Sequence, residues 1–181
     1  NLLMAHGTDM QKEVFSKNEF AGRWSGTMCL SEPQAGSSLS DVATRAVPDG
    51  EGYDADPLGA RYRLKGNKMW ISSGEHELSE NIIHLVLAKT PDAPDSSQGI
   101  SLFIVPKVLV NEDGSLGARN AVSCGALEHK MGIHGNATCV MNYDGATGWM
   151  IGEANRGMRA MFVMMNEARL GVGVQGLAQS E

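Results

Sequence analysis

A loop rich in hydrogen-bonding groups follows the first apolar segment, over "CLSEPQAGSS" (Cys29–Ser38). Its serine hydroxyls stand close together, and Gly36 lets the backbone approach a ligand closely. Pro33 fixes its own φ and restricts the preceding residue to extended geometry. Such a loop suits a phosphate or the edge of a heterocycle, because hydroxyl and amide groups bind both. The alternative is a serine-rich turn that satisfies only its own polar groups.

A second stretch, "KMWISSG" (Lys68–Gly74), combines a tryptophan with two hydroxyls. Trp70 lies in a predicted strand, where an indole face beside hydroxyl donors makes a wall for a planar aromatic ligand. A core tryptophan at the end of a strand is the alternative.

Histidines and carboxylates recur in "EHE" (Glu75–Glu77) and in "LEHKMGIHGNAT" (Leu127–Thr138). Their spacing matches none of the metal motifs such as HExxH, so we predict no metal site and interpret these residues as polar loop positions. Glu75 and Glu77 have the chemistry of a general base, but nothing in the sequence shows either to be buried. We therefore assign no catalytic residue to the chain.

The composition excludes several classes of protein. The 181 residues are 42% hydrophobic, which is enough for a domain with a core, and the net charge of -6 argues against a nucleic-acid or anionic-membrane surface. Three cysteines without a CxxC pair fit neither a disulfide framework nor a zinc site, and indicate free thiols in a reducing, cytoplasmic compartment. No apolar run approaches the ~20 residues that span a bilayer, and no stretch resembles a secretory signal.

Short β-type segments must position these residues. Six segments between about Trp24 and Ile151 are rich in β-branched, aromatic and aliphatic residues and are separated by turn residues, which predicts an antiparallel β-barrel or sandwich. One of them, "ARYRLKGNKMWIS", predicts a hairpin or two strands around a tight turn at "GN". The apolar "ISLFIV" predicts a central strand covered on both faces. "TPDAPDSSQG" and "NEDGSLGARN" predict exposed loops.

A helix is predicted at the end of the sequence, where the apolar spacing changes. It covers Gly157–Gln179, with Glu153 or Asn155 as its start signal and a methionine-rich face in the core. Glycines are unfavourable inside a helix, so three glycines within this one predict that another backbone or a ligand packs closely there. These glycines are Gly171, Gly173 and Gly176.

A shorter helix precedes the β segment. Thr8 and Gln11 form a predicted capping box that begins a helix over Asp9–Lys17. Both ends of the sequence have the character of cut helices, which predicts a piece of a larger protein. The predicted parts are the end of an N-terminal helical domain (1–23), a middle β-domain (24–154) and the first helix of a C-terminal helical domain (155–181).

Together these stretches resemble the acyl-CoA dehydrogenase family. "CLSEPQAGS" is similar to the family's T/S-E-P-x-A-G-S-D loop, "KMWIS" to its K-x-W-I-[ST] strand and "EHKMGIHGNAT" to its K-M-G-x-R turn. "IGEANRGMRAMFVMMNEARLGVGVQGLA" resembles the G-x-G entry to the first C-terminal helix, with an arginine inside it. Ser38 and His134 depart from the family's Asp and Arg. The longer phrases resemble the branch of larger acyl-CoA dehydrogenases that includes methylthiopropanoyl-CoA dehydrogenases.

The resemblance implies a site for FAD and for an acyl-CoA. The implied cofactor-binding residues are Met28, Cys29, Leu30, Ser31, Gly36, Ser37, Trp70, Ile71 and Ser72. The implied substrate-binding residues are Ser37, Asn166 and Arg169. Within this set, Ser31 would hydrogen-bond the pyrimidine ring of the flavin and Ser72 would lie near its N5 atom. Fixed donors there would stabilise the reduced ring.

The resemblance also implies an activity, the oxidation of an acyl-CoA to a trans-2-enoyl-CoA in fatty acid metabolism. A base removes the α-proton while the β-hydride passes to FAD, and an electron-transfer flavoprotein then accepts the electrons. The family's base is a glutamate of the C-terminal helical domain, so we expect these 181 residues alone to be inactive and to hold FAD weakly or not at all. The intact enzyme would be a homo-oligomer. The alternatives are a flavin-dependent acyl-CoA oxidase or monooxygenase, and a non-catalytic β-barrel module for binding or oligomerisation.

Overall fold

The structure, a computed structural model, describes residues 1–181, with helices on both sides of a long run of strands. The strands are β1 Trp24–Cys29, β2 Arg45–Pro48, β3 Arg61–Ser72, β4 Asn81–Lys89, β5 Ile100–Pro106, β6 Val108–Val110, β7 Leu116–Arg119, β8 Val122–Leu127 and β9 Thr138–Ile151. The helices are α1 Leu2–His6, α2 Asp9–Gln11, α3 Lys17–Phe20 and α4 Gly157–Ser180, and a π-helical turn, Lys12–Ser16, joins α2 to α3. The prediction of a mainly β fold with flanking helices is confirmed.

Seven strands form one sheet whose pairing path closes on itself. Antiparallel pairs connect β4 to β5, β5 to β9, β9 to β3 and β3 to β2. A parallel bridge between Arg45 and Lys89 then returns from β2 to β4. The strand β8 adds to β9, and β1 departs from the antiparallel prediction because it pairs in parallel with β4. The chain can reach a parallel neighbour only by a long crossover, which here contains β2 and β3.

The predicted hairpin at "GN" is wrong, because β3 is one uninterrupted strand. Gly66 and Asn67 pair with Tyr143 and Asn142 of β9 in the middle of the ladder. The glycine is there for a different reason: a Cβ atom at position 66 would lie 2.8 Å from the Cα atom of Thr44. Gly66 therefore allows two backbones to approach closely, which is as common a reason for a glycine in a strand as a turn or bulge.

The predicted loop "NEDGSLGARN" is wrong in its second half. β6 and β7 form a small two-stranded sheet around the turn, in which the Asn111 N–H donates to the Ser115 carbonyl at 2.9 Å. All four residues of β7 are exposed, so the strand lacks the alternation of buried and exposed residues that would have revealed it.

The core packs against both faces of the sheet. In one cluster, Phe15 lies between Trp24 and Trp149, with ring centroids 6.2 and 6.1 Å away. This cluster also takes in side chains of α1 and α4. The second cluster includes Tyr62 and Phe103, whose rings meet edge to face at 5.1 Å. Every residue of β5 is buried, which confirms the prediction of a strand covered on both faces.

The helical segment that follows α1, over α2, the π-helical turn and α3, starts at the predicted capping box. The Gln11 N–H donates to Thr8 Oγ1, and the Thr8 N–H donates to Gln11 Oε1, both at 3.1 Å. The Gln11 amide also donates to the carbonyls of Leu58 and Met150, at 2.8 and 2.9 Å. The cap thus fixes the helical segment to the sheet, and the helical turns continue past the predicted end to Phe20.

The last helix begins at Gly157, and neither predicted start signal caps it. Asn155 has a left-handed backbone with φ of 63°, and its N–H donates to Ser101 Oγ at 2.9 Å. At Gly157 an added Cβ atom would lie 2.6 Å from the backbone nitrogen of Leu102, so contact with β5 sets the start of the helix.

The two ends of α4 have different surroundings. Met161 is buried in the core, whereas the later half of the helix is exposed. Apart from the helix's own backbone and adjacent residues, no atom of the chain lies within 4 Å of the Cβ positions at the three helical glycines, so no other part of this chain packs there. None of the helices combines the length and hydrophobicity that a membrane span needs.

Candidate functional site

A buried ion pair ties the serine-rich loop to β3. Lys68 Nζ lies 2.7 Å from Glu32 Oε1, and the two side chains are 0% and 2% exposed. The same ammonium donates to the Leu30 carbonyl at 3.0 Å. The carboxylate also accepts hydrogen bonds from the backbone N–H groups of Ala43 and Thr44, at 2.7 and 3.1 Å. These contacts fix the loop to β3 and to the residues just before β2, and they were not predicted from the sequence.

The charges of this ion pair stabilise each other. Burial alone would raise the pKa of the Glu32 carboxyl, but the Lys68 ammonium and the hydrogen bonds from Thr44 and Ala43 outweigh it and hold that pKa below its ordinary value. The carboxylate therefore stays ionised at neutral pH, as its five hydrogen-bond donors require.

A β-bulge turns the end of β3 toward the loop. The register of β3 on β9 shifts between Lys68 and Ile71, and Trp70 adopts a left-handed φ of 62°. The Met69 N–H donates to the Ser31 carbonyl at 3.0 Å, so the bulge is joined to the loop through the backbone. The indole of Trp70 is 53% exposed. Bulges commonly re-aim side chains next to functional sites.

A cavity of about 480 Å³ lies where the loop, the bulge and the flanking helices meet. Its wall is mostly apolar and includes the hydroxyl-bearing residues Ser31 and Ser72. Six of the predicted cofactor-binding residues line it. They are Met28, Leu30, Ser31, Trp70, Ile71 and Ser72. A concave apolar surface with a few convergent polar groups is typical of a small-molecule site.

The side chain of Cys29 lies outside the cavity, and its contact with a cofactor stays a prediction. It is fully buried in the interior, with Sγ 3.3 Å from Thr27 Oγ1 and 3.9 Å from His84 Nδ1. Burial raises the pKa of this thiol. The alternation of side chains along β1 places Met28 on the cavity side and Cys29 on the other. Only the main chain of Cys29 is left to contact a ligand.

Four further predicted residues do not line the cavity. Gly36 and Ser37 lie on the exposed outer part of the loop. Asn166 and Arg169 lie on the exposed half of α4, where the guanidinium donates to the Asn166 side chain. Their binding roles stay predictions.

Nine residues of the cavity wall are not among the predicted site residues, and the one with a carboxyl group is Glu19 of α3. Its pKa is raised from 4.5 to about 7, because burial disfavours the charged form. The signal that could have revealed it is Gly26, an isolated glycine inside β1, because such glycines mark close approaches. A Cβ atom at position 26 would lie 2.9 Å from Glu19 Oε1.

The other carboxylates and histidines singled out from the sequence lie elsewhere. Glu75 forms ion pairs with Lys107 and Arg119. Burial alone would raise the pKa of Glu75, but these two cations outweigh it and lower that pKa. His76 Nε2 lies 3.2 Å from Ser25 Oγ. These contacts are structural, and none of the residues lines the cavity.

The sequence matches one protein family, described as "Acyl-CoA dehydrogenase, middle domain", over residues 27–146. Two curated relatives are similar over most of the chain. The 3-methylmercaptopropionyl-CoA dehydrogenase of Ruegeria pomeroyi is 52% identical over 175 residues, which are 97% of this chain and 28% of that protein. A butyryl-CoA dehydrogenase of Syntrophomonas wolfei is 46% identical over 180 residues, which are 95% of this chain and 28% of that protein.

A solved structure has a similar fold. The acyl-CoA dehydrogenase of Bacillus anthracis, solved as a complex with FAD, superposes with a TM-score of 0.73 at 25% identity. The similarity covers 96% of this chain and 26% of that one. The chain thus spans about a quarter of the length of the proteins it matches.

Proposed function

Because the chain belongs to the acyl-CoA dehydrogenase family, we propose that it forms the part of such an enzyme that binds the flavin ring of FAD beside an acyl-CoA. The observation that carries the proposal is the cavity, which brings together the two sequence stretches singled out for ligand binding. The loop contributes Ser31, the bulge contributes Trp70 and Ser72, and the ion pair fixes one stretch to the other.

The cavity fits a planar ring system. The half-exposed indole of Trp70 is a large apolar surface beside hydroxyl groups, the arrangement in which aromatic ligands stack. None of the lining residues is a lysine or an arginine. The cavity therefore suits the uncharged ring of the cofactor, and cationic groups for its pyrophosphate must come from outside it.

Each lining group has a proposed role. Bound FAD would supply the acceptor for the hydride that leaves the β-carbon of the acyl-CoA. The hydroxyl of Ser31 orients the pyrimidine side of the ring, and the hydroxyl of Ser72 donates near N5. Trp70 covers the ring and excludes water. Because the ion pair and the backbone hold these donors in place beforehand, they need little reorganisation during the reaction.

The activity proposed for the whole enzyme is the conversion of an acyl-CoA to a trans-2-enoyl-CoA, with an electron-transfer flavoprotein as acceptor. We propose no catalytic base within these residues, since Glu75 is held in ion pairs. The division into residues 1–23, 24–154 and 155–181 and the homo-oligomeric state are part of the same proposal. Exposed apolar side chains on α4 support a further domain there. They include Leu170, Val172 and Leu177.

The experiment uses the full-length protein. Purified protein should be yellow, and anaerobic addition of an acyl-CoA should bleach the flavin absorbance. Rapid reoxidation of the reduced protein by air would instead indicate an oxidase or monooxygenase. A colourless protein that does not respond to FAD and acyl-CoA would contradict the proposal and favour a non-catalytic binding module.

A further inference from the structure

Glu19 sits in the cavity without a protein partner. Its carboxylate reaches from α3 over β1 at Gly26, where the absence of a side chain leaves the room it occupies. Any larger residue at position 26 would meet Glu19 Oε1 at 2.9 Å. The backbone of β1 therefore makes space for this one carboxyl group at the wall of the cavity.

The surroundings of the carboxyl are apolar. It shares the cavity wall with Leu3, Met28 and Leu85. Burial is the largest influence on its protonation, and no hydrogen bond is among the influences. Buried polar groups in proteins are nearly always hydrogen-bonded, because an unpaired one costs roughly 1–3 kcal/mol. Glu19 is half-buried and no side chain or backbone group of the chain hydrogen-bonds its carboxyl, so a ligand that displaces solvent from the cavity must supply its partner.

The chemistry of the carboxyl limits which ligand groups could be its hydrogen-bond partner. A group that loses its proton near neutral pH is often protonated in the cell, and a carboxylic acid presents a donor and an acceptor side by side. The matching edge is an imide, in which an N–H group stands next to a carbonyl group. The pyrimidine part of a flavin has such an edge. A plain alkyl chain offers no hydrogen bond to the carboxyl.

We propose that Glu19 is a cofactor-contacting residue of the cavity that hydrogen-bonds the imide edge of the flavin. The inference rests on the proposed function, because it takes FAD as the ligand. It adds a side chain from the N-terminal helical segment to a site otherwise built from the loop and β3. It also gives Gly26 a function, which is to keep the space that this carboxyl needs.

The test measures FAD affinity in the full-length protein after removal of the bound flavin. FAD and its N3-methyl analogue are titrated into the parent protein, Glu19→Ala and Glu19→Gln, with flavin fluorescence as the readout. Glu13→Ala is the matched control, since Glu13 lies on the same helical segment and its side chain is 66% exposed.

We expect Glu19→Ala to weaken FAD binding about tenfold, because it removes one hydrogen bond. Glu19→Gln should stay within about twofold, because an amide keeps both a donor and an acceptor. The parent should prefer FAD over the N3-methyl analogue, and Glu19→Ala should lose most of that preference. Glu13→Ala should behave as the parent.

Three results would overturn the inference. In the first, Glu19→Ala binds FAD as tightly as the parent and keeps its preference. In the second, the substitution lowers the melting temperature equally with and without FAD, so that another part of the protein is the partner. In the third, only acyl-CoA affinity changes. A parent protein that binds no flavin would refute the proposed function as well, which separates the two failures.

Discussion

Replacing Lys68 with methionine should lower the free energy of unfolding by about 3–5 kcal/mol, the usual cost of removing one partner of a buried ion pair. The ammonium and the Glu32 carboxylate are 2.7 Å apart, and neither side chain is more than 2% exposed. Methionine fills a similar volume, so the loss is one of charge rather than of packing. The other donors to the carboxylate, from Gln34, Ala43 and Thr44, are neutral and offset only part of it.

The loss of stability in Lys68→Met should depend on pH. In the parent, the Lys68 ammonium helps to hold the pKa of Glu32 below its ordinary value against the effect of burial. Without that ammonium, burial is expected to dominate and to raise the pKa of Glu32 in the folded state above its unfolded value. The folded variant then binds a proton more tightly than the unfolded chain, so its stability falls as the pH rises. The destabilisation should be larger at pH 8 than at pH 5.

Urea unfolding followed by tryptophan fluorescence measures the effect. The control is Lys17→Met, which removes an ion pair with Glu13 whose side chains are 71% and 66% exposed. This surface pair should contribute less than about 1 kcal/mol. The reasoning is refuted if Lys68→Met costs no more than Lys17→Met, or if its cost is independent of pH.

Three further predictions concern the cavity and the sheet. Ser72→Ala should slow flavin reduction by acyl-CoA roughly ten- to a hundredfold (about 1–3 kcal/mol) with little change in FAD affinity. Trp70→Ala should mainly weaken FAD binding. Rapid kinetics measure the reduction rate and titration measures the affinity, and an unchanged reduction rate in Ser72→Ala would contradict its role at N5. Because the pKa of Glu19 is raised from 4.5 to about 7, stability should fall as pH rises through that window, and Glu19→Gln should abolish the fall in urea unfolding. Gly66→Ala should lower the free energy of unfolding by about 1–3 kcal/mol, as measured by thermal unfolding. Gly132→Ala is the control, because its Cβ position has no neighbour within 4 Å, and it should lower stability far less. Equal losses of stability would contradict the close approach of Gly66 to Thr44.

The sequence contains strong local signals for most of the fold. Strands such as β4 and β5 are continuous apolar segments, and the capping box of Thr8 and Gln11 is complete in four residues. The two stretches predicted to bind a ligand were also singled out from composition, because each carries its polar groups in a short segment. The structure then shows that they share one cavity. What their resemblance to a family implied about individual binding roles stays a prediction.

The remaining features depend on residues that are distant in the sequence. Gly66 resembles a turn glycine until Thr44 is seen beside it, and Glu32 resembles a loop residue until Lys68 is seen to pair with it. The left-handed conformation of Trp70 arises from a bulge that only the partner strand defines. The position of Glu19 in the cavity wall likewise depends on β1 passing close to the helix at Gly26. Local propensity carries no information about such contacts, so sequence reasoning could not find them.

The pairing of β3 with β9 bears on how the chain folds as it is made. Asn67 and Asn142 pair although 75 residues separate them in the chain, and every other pair in this ladder also joins distant segments. Bringing such segments together costs loop-closure entropy before any contact compensates for it, which makes folding slow. On the ribosome, β3 emerges long before its partner and waits with an unpaired edge. The newly made chain therefore passes through a stage in which a strand with one apolar face has an edge open to pairing with other chains, and it leaves that stage only when β9 has been synthesised.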